Sequence, residues 1–323
     1  MVLKKNILNK KYVENNLFDI IFIIAGFTIL IPFIGIRHTT DFMIFCIYAL
    51  AFTILYGFLG RLSFGHMLYF GIGGYSAALF AKYFSPNPIF AMIISICSGI
   101  IIGLLLGPII IRTTGACFAL TNLAFNEVGY FLALVAFDKY TGGEDGFAVV
   151  YSKSGFLNFN NKYIIFGFIF LSLLVIFFLL KCFTTSSFGI LIKSIRENEE
   201  RVKFLGYNTF NYKLITFIIS TSLTAFAGFL NTLNYGYMTT GYIDPFRNVE
   251  VIFAVLIGGS KSLYGAIIGG VLYMIITNYL AIYIARWEMF LGIILLIISL
   301  RFKKGIWGYL EDIVKSKIIR VRN

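Results

Sequence analysis

The chain has 323 residues, of which 59% are apolar, 18% aromatic and only 13% charged, with a mean hydropathy of +0.86. An ordinary soluble domain is about 45–50% apolar and about 25% charged, so a water-soluble enzyme and a disordered chain are both excluded, and a polytopic membrane protein remains. The formal charge of +12 reads as basic loops holding one side of a bilayer and meeting anionic lipid, with no nucleic-acid partner.

Crossing the hydrocarbon core takes about 20 apolar residues as a helix. Runs near that length lie at 20–36, 42–60, 62–81, 89–111, 116–137, 163–180 and 214–234. The first follows Lys4, Lys5, Lys10 and Lys11 but lacks a small-x-small cleavage site, so it is expected to be a retained helix rather than a signal sequence. After these seven the pattern frays: 249–258 is short, 266–284 is full length and 290–300 is short again. The expectation is an all-α protein with about eight to ten spans, some short, broken or re-entrant, forming one domain over 1–323. Its longest loops are 138–162 and 181–213.

With ten crossings and a cytoplasmic N-terminus, 20 of the 27 Lys and Arg residues fall inside. The positive-inside rule then predicts both termini in the cytoplasm of a plasma (inner) membrane protein. Trp287 and Trp307 would flank the last span.

Within the spans, Gly99, Gly103 and Gly107 share one helix face, as do Ser220, Thr224 and Gly228, and Gly265 with Gly269. Small faces let backbones approach closely in lipid. Cys46, Cys97, Cys117 and Cys182 form no close pair and read as packing residues. Chemistry-bearing motifs are scarce. GGSKSLYG at 258–265 lacks the spacing of a phosphate-binding loop, and His38 and His66 are the only histidines. Glu127 is the one acid well inside a predicted span. At that depth it should be neutral, paired or facing a wet cavity.

Loop 186–213, SSFGILIKSIRENEERVKFLGYNTFNYK, is the most informative stretch. Ile190, Ile192, Ile195, Val202 and Leu205 alternate with a charged cluster, and Gly206 follows as a helix stop. The pattern is a short amphipathic helix between two spans, either lying on lipid or docking a cytoplasmic partner.

This loop resembles the coupling helix of ABC importer permeases. Arg196, Asn198, Glu199, Leu205 and Gly206 match the R-x-N-E…L-G form of the branched-chain amino-acid (LivM-type) permeases. LSFGHMLYFGIGGYSAAL at 62–79 is similar to a helix of that family. So are TGACFALTNLAFNEV at 114–128, with Asn122 where Thr is usual, and TGGEDGF at 141–147. YKLITFIIS, AFAGFL and GGSKSLYGAIIGG follow in the family order, with Ser260 and Lys261 departing from its pattern.

The resemblance implies one transmembrane subunit of an ATP-driven importer of branched-chain amino acids, not an enzyme. Urea and short-amide permeases of the same superfamily carry a similar loop and are the alternative substrate class; a self-sufficient secondary carrier is the alternative of another class. The implied partners are a second related permease, two cytoplasmic P-loop ATPases and an extracytoplasmic solute-binding protein, in the lipid bilayer. No cofactor is expected on this chain, with ATP and Mg on the ATPases. Arg196, Glu197, Asn198, Glu199 and Gly206 are the expected ATPase-coupling residues. Thr141, Gly142, Gly143, Asp145 and Gly146 are expected to meet the binding protein. Candidates for the substrate pathway are His66, Gly71, Gly73, Gly74 and Glu127, although His66 could equally be a buried, hydrogen-bonded ring.

Overall fold

The apolar runs become helices, and local capping chemistry sets where several of them begin. The computed structural model describes residues 19–283 apart from 22, 152, 155, 156 and 160, together with 289–290, 292–293, 305–309 and 311. Helix α1 is Asp19–Ile34. Helix α2 is Ile36–Thr53 and runs on as a π-helical turn, Ile54–Phe58. Helices α3 (His66–Tyr83), α4 (Pro88–Ile110) and α5 (Gly115–Phe131, extended by a π-helical turn at Leu132–Ala136) follow. Asn87 opens α4 by accepting from the Ile89 amide, with Pro88 in the first turn where no amide partner is needed.

A short α6 (Asp138–Thr141) leads into β1 (Phe147–Ala148), then β2 (Lys153–Ser154) and β3 (Leu157–Asn158), which pair with each other. Helix α7 (Lys162–Thr185) returns through the bundle to α8 (Ser187–Glu197) and α9 (Glu199–Phe204). Helix α10 (Thr209–Tyr235) ends at Gly236, whose φ of +63° is the left-handed cap that glycine adopts without strain. Then come β4 (Tyr237–Met238), α11 (Asn248–Gly258) and α12 (Leu263–Tyr283).

Five helices among the described residues are long and apolar enough to cross a membrane: α2, α4, α5, α7 and α10. The segment 240–258 and the helix after it pass the same test as a pair, bent by 119° at the break. The predicted short run at 249–258 is therefore one limb of a sharply bent helix pair. Helix α3 begins four residues later than the run at 62–81 suggests. The predicted 290–300 span and Trp287 lie outside the described residues, apart from residues 290, 292 and 293. Trp307 stacks on Tyr264 at 4.9 Å.

Helix α10 is the axis, packed along α2, α3 and α4. Its two small faces serve different neighbours. On one, a methyl at Gly228 or Gly73 would overlap backbone across the α3–α10 crossing. On the other, Gly99, Gly103 and Gly107 of α4 lie against Thr221, Ala225 and Leu214 of α10. Gly258, Gly265 and Gly269 bring α11 and α12 together in the same way. Helices α2 and α10 are mostly buried, whereas α4, α5 and α7 bury only 22–28% of their residues and leave many large apolar side chains exposed. In water that surface would be untenable; in a bilayer it faces acyl chains. The chain is an all-α polytopic membrane protein.

Candidate functional site

Helices α8 and α9 project from one end of the bundle as an elbow. Ser186 caps α8 by accepting from Gly189 N, and Asn198 caps α9 by accepting from Arg201 N at 2.9 Å. The inner face is held by charge. Glu199 lies 2.8 Å from Arg61 and 2.7 Å from Lys213, and accepts from Thr209 Oγ1 at 3.1 Å. Burial pushes its carboxyl up, but the Lys213 hydrogen bond and charge, the Thr209 hydroxyl and the Arg61 charge together hold it below the usual carboxylate range. Arg196 donates to the Gly57 carbonyl in the π-helical turn that ends α2. Its aliphatic stem lies beside Gly60.

The outer face of the elbow is apolar and open. Phe204 is 88% and Leu205 71% exposed, and Tyr207 stands beside them. A groove of about 300 Å3 runs between Ile190, Leu191, Val202, Leu205 and Tyr207. Of the sequence-stretch candidates, Glu197 and Asn198 are exposed, and Gly206, at φ +86°, turns the chain with open space around it. Glu199 and Arg196 are engaged by contacts inside the chain. Sequence reasoning missed Phe204 and Tyr207; their apolar character in a charged loop was the available signal.

At the other end, Thr141 is buried and its hydroxyl donates to Ala133 O at 2.6 Å. Gly142, Gly143 and Gly146 all have positive φ, at +76°, +56° and +63°. They fold the loop back so that β1 pairs antiparallel with β4, Phe147 opposite Met238. Thr239 ties to Glu144 O at 2.9 Å. Asp145 remains exposed.

The pathway candidates separate. Gly73 is packed against the Ala225 backbone of α10, Gly71 against Ile243, and Gly74 against Met238. His66 is fully buried, its Nε2 2.9 Å from Ser220 Oγ, with edge-on contacts to Phe52 and Tyr69. Glu127 is on the exposed face of α5. The neighbouring asparagines are engaged elsewhere. Asn126 donates to Ile243 O at 2.6 Å and accepts from Asn248 at 2.7 Å, while Asn122 accepts from Tyr69 at 3.3 Å. Asn248 in turn accepts from Met67 N at 2.8 Å, joining the starts of α3 and α11.

Sequence reasoning also missed an open-mouthed cavity of about 350 Å3. Its lining includes Asp41 and Tyr48 of α2, Asn231 of α10, and Arg247 and Glu250 at the start of α11. Asp41 and Glu250 border apolar stretches, but nothing in the sequence shows that they meet.

The chain matches the family described as branched-chain amino acid transport system / permease component over residues 36–300. It is 26% identical over 272 residues to the high-affinity branched-chain amino acid transport system permease protein LivM of Escherichia coli, covering 76% of this chain and 64% of that relative. To the probable LivM of Methanocaldococcus jannaschii it is 28% identical over 247 residues, 70% of each chain. To the permease protein BraD of Pseudomonas aeruginosa it is 24% identical, covering 71% of this chain and 79% of that one. No solved structure matches. The chain thus spans less than two thirds of the length of the Escherichia coli relative. With the match running from the start of α2 past the end of α12, the chain belongs to the branched-chain amino acid transport system permease family.

Proposed function

We propose that this chain is one transmembrane subunit of an ABC importer for branched-chain amino acids, acting as a single permease domain. ATP is hydrolysed, with Mg, on two cytoplasmic P-loop ATPases. A second related permease shares the translocation pathway, and an extracytoplasmic binding protein delivers substrate. The end bearing α8 and α9 faces the cytoplasm, as its concentration of Lys and Arg favours. The glycine-rich 141–146 turn, tied to β4, then faces outward for the binding protein. The exposed α5 face carrying Glu127 is available to the second permease.

The observation that carries this reading is the elbow of α8 and α9. An apolar knuckle of Phe204, Leu205 and Tyr207 is presented to solvent, while Glu199 and Arg196 lock the same elbow to the bundle. Exposed apolar patches mark interaction surfaces. A knuckle held rigidly from behind transmits a displacement rather than absorbing it. ATP-driven closure of the ATPases would thus move the ends of α2, α7 and α10 together, a two-state motion without chemistry in this chain.

The test is Phe204→Asp in the importer assembled in its own membranes. Leucine uptake should fall at least about tenfold while membrane insertion and permease–permease association persist. Co-purified ATPase should drop in parallel. Wild-type uptake and unchanged ATPase recovery would defeat the docking role.

A further inference from the structure

We propose that the open-mouthed cavity at the end of the bundle opposite α8 and α9 is a binding site for a zwitterionic α-amino acid with an apolar side chain, held within this one chain. It rests on the importer reading and goes beyond it: the second permease is not needed to form the site.

The cavity presents two kinds of polar chemistry on an apolar floor. Its donors are unsatisfied. Tyr48 is 1% and Asn231 7% exposed, and the Tyr48 hydroxyl and Asn231 Nδ2 have no hydrogen-bond partner among the described residues. A buried polar group left unpaired is costly, so two lining one cavity call for a ligand that accepts hydrogen bonds. Arg247 adds a cation to the same wall. It reaches Glu250 at 3.4 Å and Gly241 O at 3.3 Å, which leaves further guanidinium N–H groups free to donate. Two neutral donors and a guanidinium suit a carboxylate.

The acceptor side is Asp41. One carboxylate oxygen takes the Asn234 amide at 2.6 Å, the other is 3.9 Å from His38 Nδ1, and the Tyr235 hydroxyl of the same wall also donates to the carboxylate. An ionised carboxylate has about four lone-pair sites, so Asp41 retains capacity for an ammonium group. Ile44, Phe45, Met67, Phe70 and Met274 supply the apolar lining. A volume of about 350 Å3 lies at the small end of ligand pockets, roughly 300–1,000 Å3. It suits one amino acid rather than a peptide or a nucleotide.

The position also fits delivery. Asp41 lies near the start of α2, and the Gly57 carbonyl that Arg196 grips lies 16 residues further along, about 24 Å at 1.5 Å per residue. The cavity is therefore at the end that carries the 141–146 turn and β4. Below it, the interlocked rings of Phe52, His66, Tyr69 and Phe217 fill the core. A solute arriving from that end would be held before it met the ring layer.

The experiment is equilibrium binding of labelled leucine to the importer in nanodiscs without the external binding protein. Leucine should bind, whereas leucinamide and 4-methylpentanoate, each lacking one of the two charges, should not compete. Tyr48→Phe and Asn231→Leu should each weaken leucine binding about tenfold or more, and Asp41→Asn likewise. Each variant is checked for an unchanged elution profile and melting temperature. If leucine does not bind, if it binds equally well to all three folded variants, or if the one-charge analogues compete as well as leucine, the proposal is overturned. Leucine uptake by the complete importer is measured alongside. Uptake without binding at this cavity would sink the site and leave the importer reading standing; no leucine uptake at all would sink the importer reading itself.

Discussion

Glu199 draws together two cations and a hydroxyl from two other parts of the chain: Arg61 before α3, and Thr209 and Lys213 of α10. With Lys213 only 8% and Arg61 14% exposed, removing the carboxylate strands poorly solvated cations. Glu199→Gln should therefore cost about 1–3 kcal/mol of stability, read as a lower melting temperature in detergent. Adding Lys213→Met should recover part of the loss, because an apolar side chain does not need the missing partner. The pH dependence has a definite sign. The folded carboxyl titrates below its unfolded range, so the contribution is fully present above that range and is lost as pH falls through the lower, folded value. The wild type should lose stability on acidification over that interval more steeply than Glu199→Gln. Equal slopes would show that the clamp contributes no proton linkage.

At the scale of the elements, the α3–α10 crossing depends on the absence of side chains. A methyl at Gly228 would overlap the Phe70 carbonyl, and backbone cannot move aside cheaply. Gly228→Val should force the helices apart and cost of the order of 1–3 kcal/mol or more, measured as a loss of folded yield and a lower melting temperature. Gly167→Val, on α7 where nothing among the described residues lies within 4 Å of an added methyl, is the matched control and should be silent. Such stripes were legible in the sequence because 3.6 residues per turn puts every fourth residue on nearly one face. Which neighbour each stripe meets was not, since α10 uses two of its faces at once. The bend between α11 and α12 was half legible. The run before Gly258 is too short to cross, but the 119° angle is a property of packing.

For the whole molecule, composition and hydropathy sufficed for a multi-span helical protein, because lipid leaves backbone polar groups almost no other solution. The elbow was legible for the same reason, as the one charged stretch of amphipathic period between two spans. What escaped was everything made by distant parts meeting. The contact of Glu199 with Arg61, 138 positions earlier, has no local sign in the sequence. The cavity escaped for the same reason, its lining being drawn from Asp41 to Asn278.

One such meeting constrains how the protein can change. At Gly57 three parts converge: the carbonyl takes Arg196 of α8, the α-carbon lies against the Ser260 backbone at the α11–α12 bend, and the peptide belongs to the π-helical turn closing α2. Four positions, 57, 60, 196 and 260, thereby share one small volume. A change at any of them is felt at the others, so they should tolerate substitution as a set and resist it singly. Selection for restored uptake in Gly57→Ala should return second-site revertants at or beside Ser260 and Arg196. Revertants scattered evenly over the chain would mean that the elbow and the bent α11–α12 pair move independently.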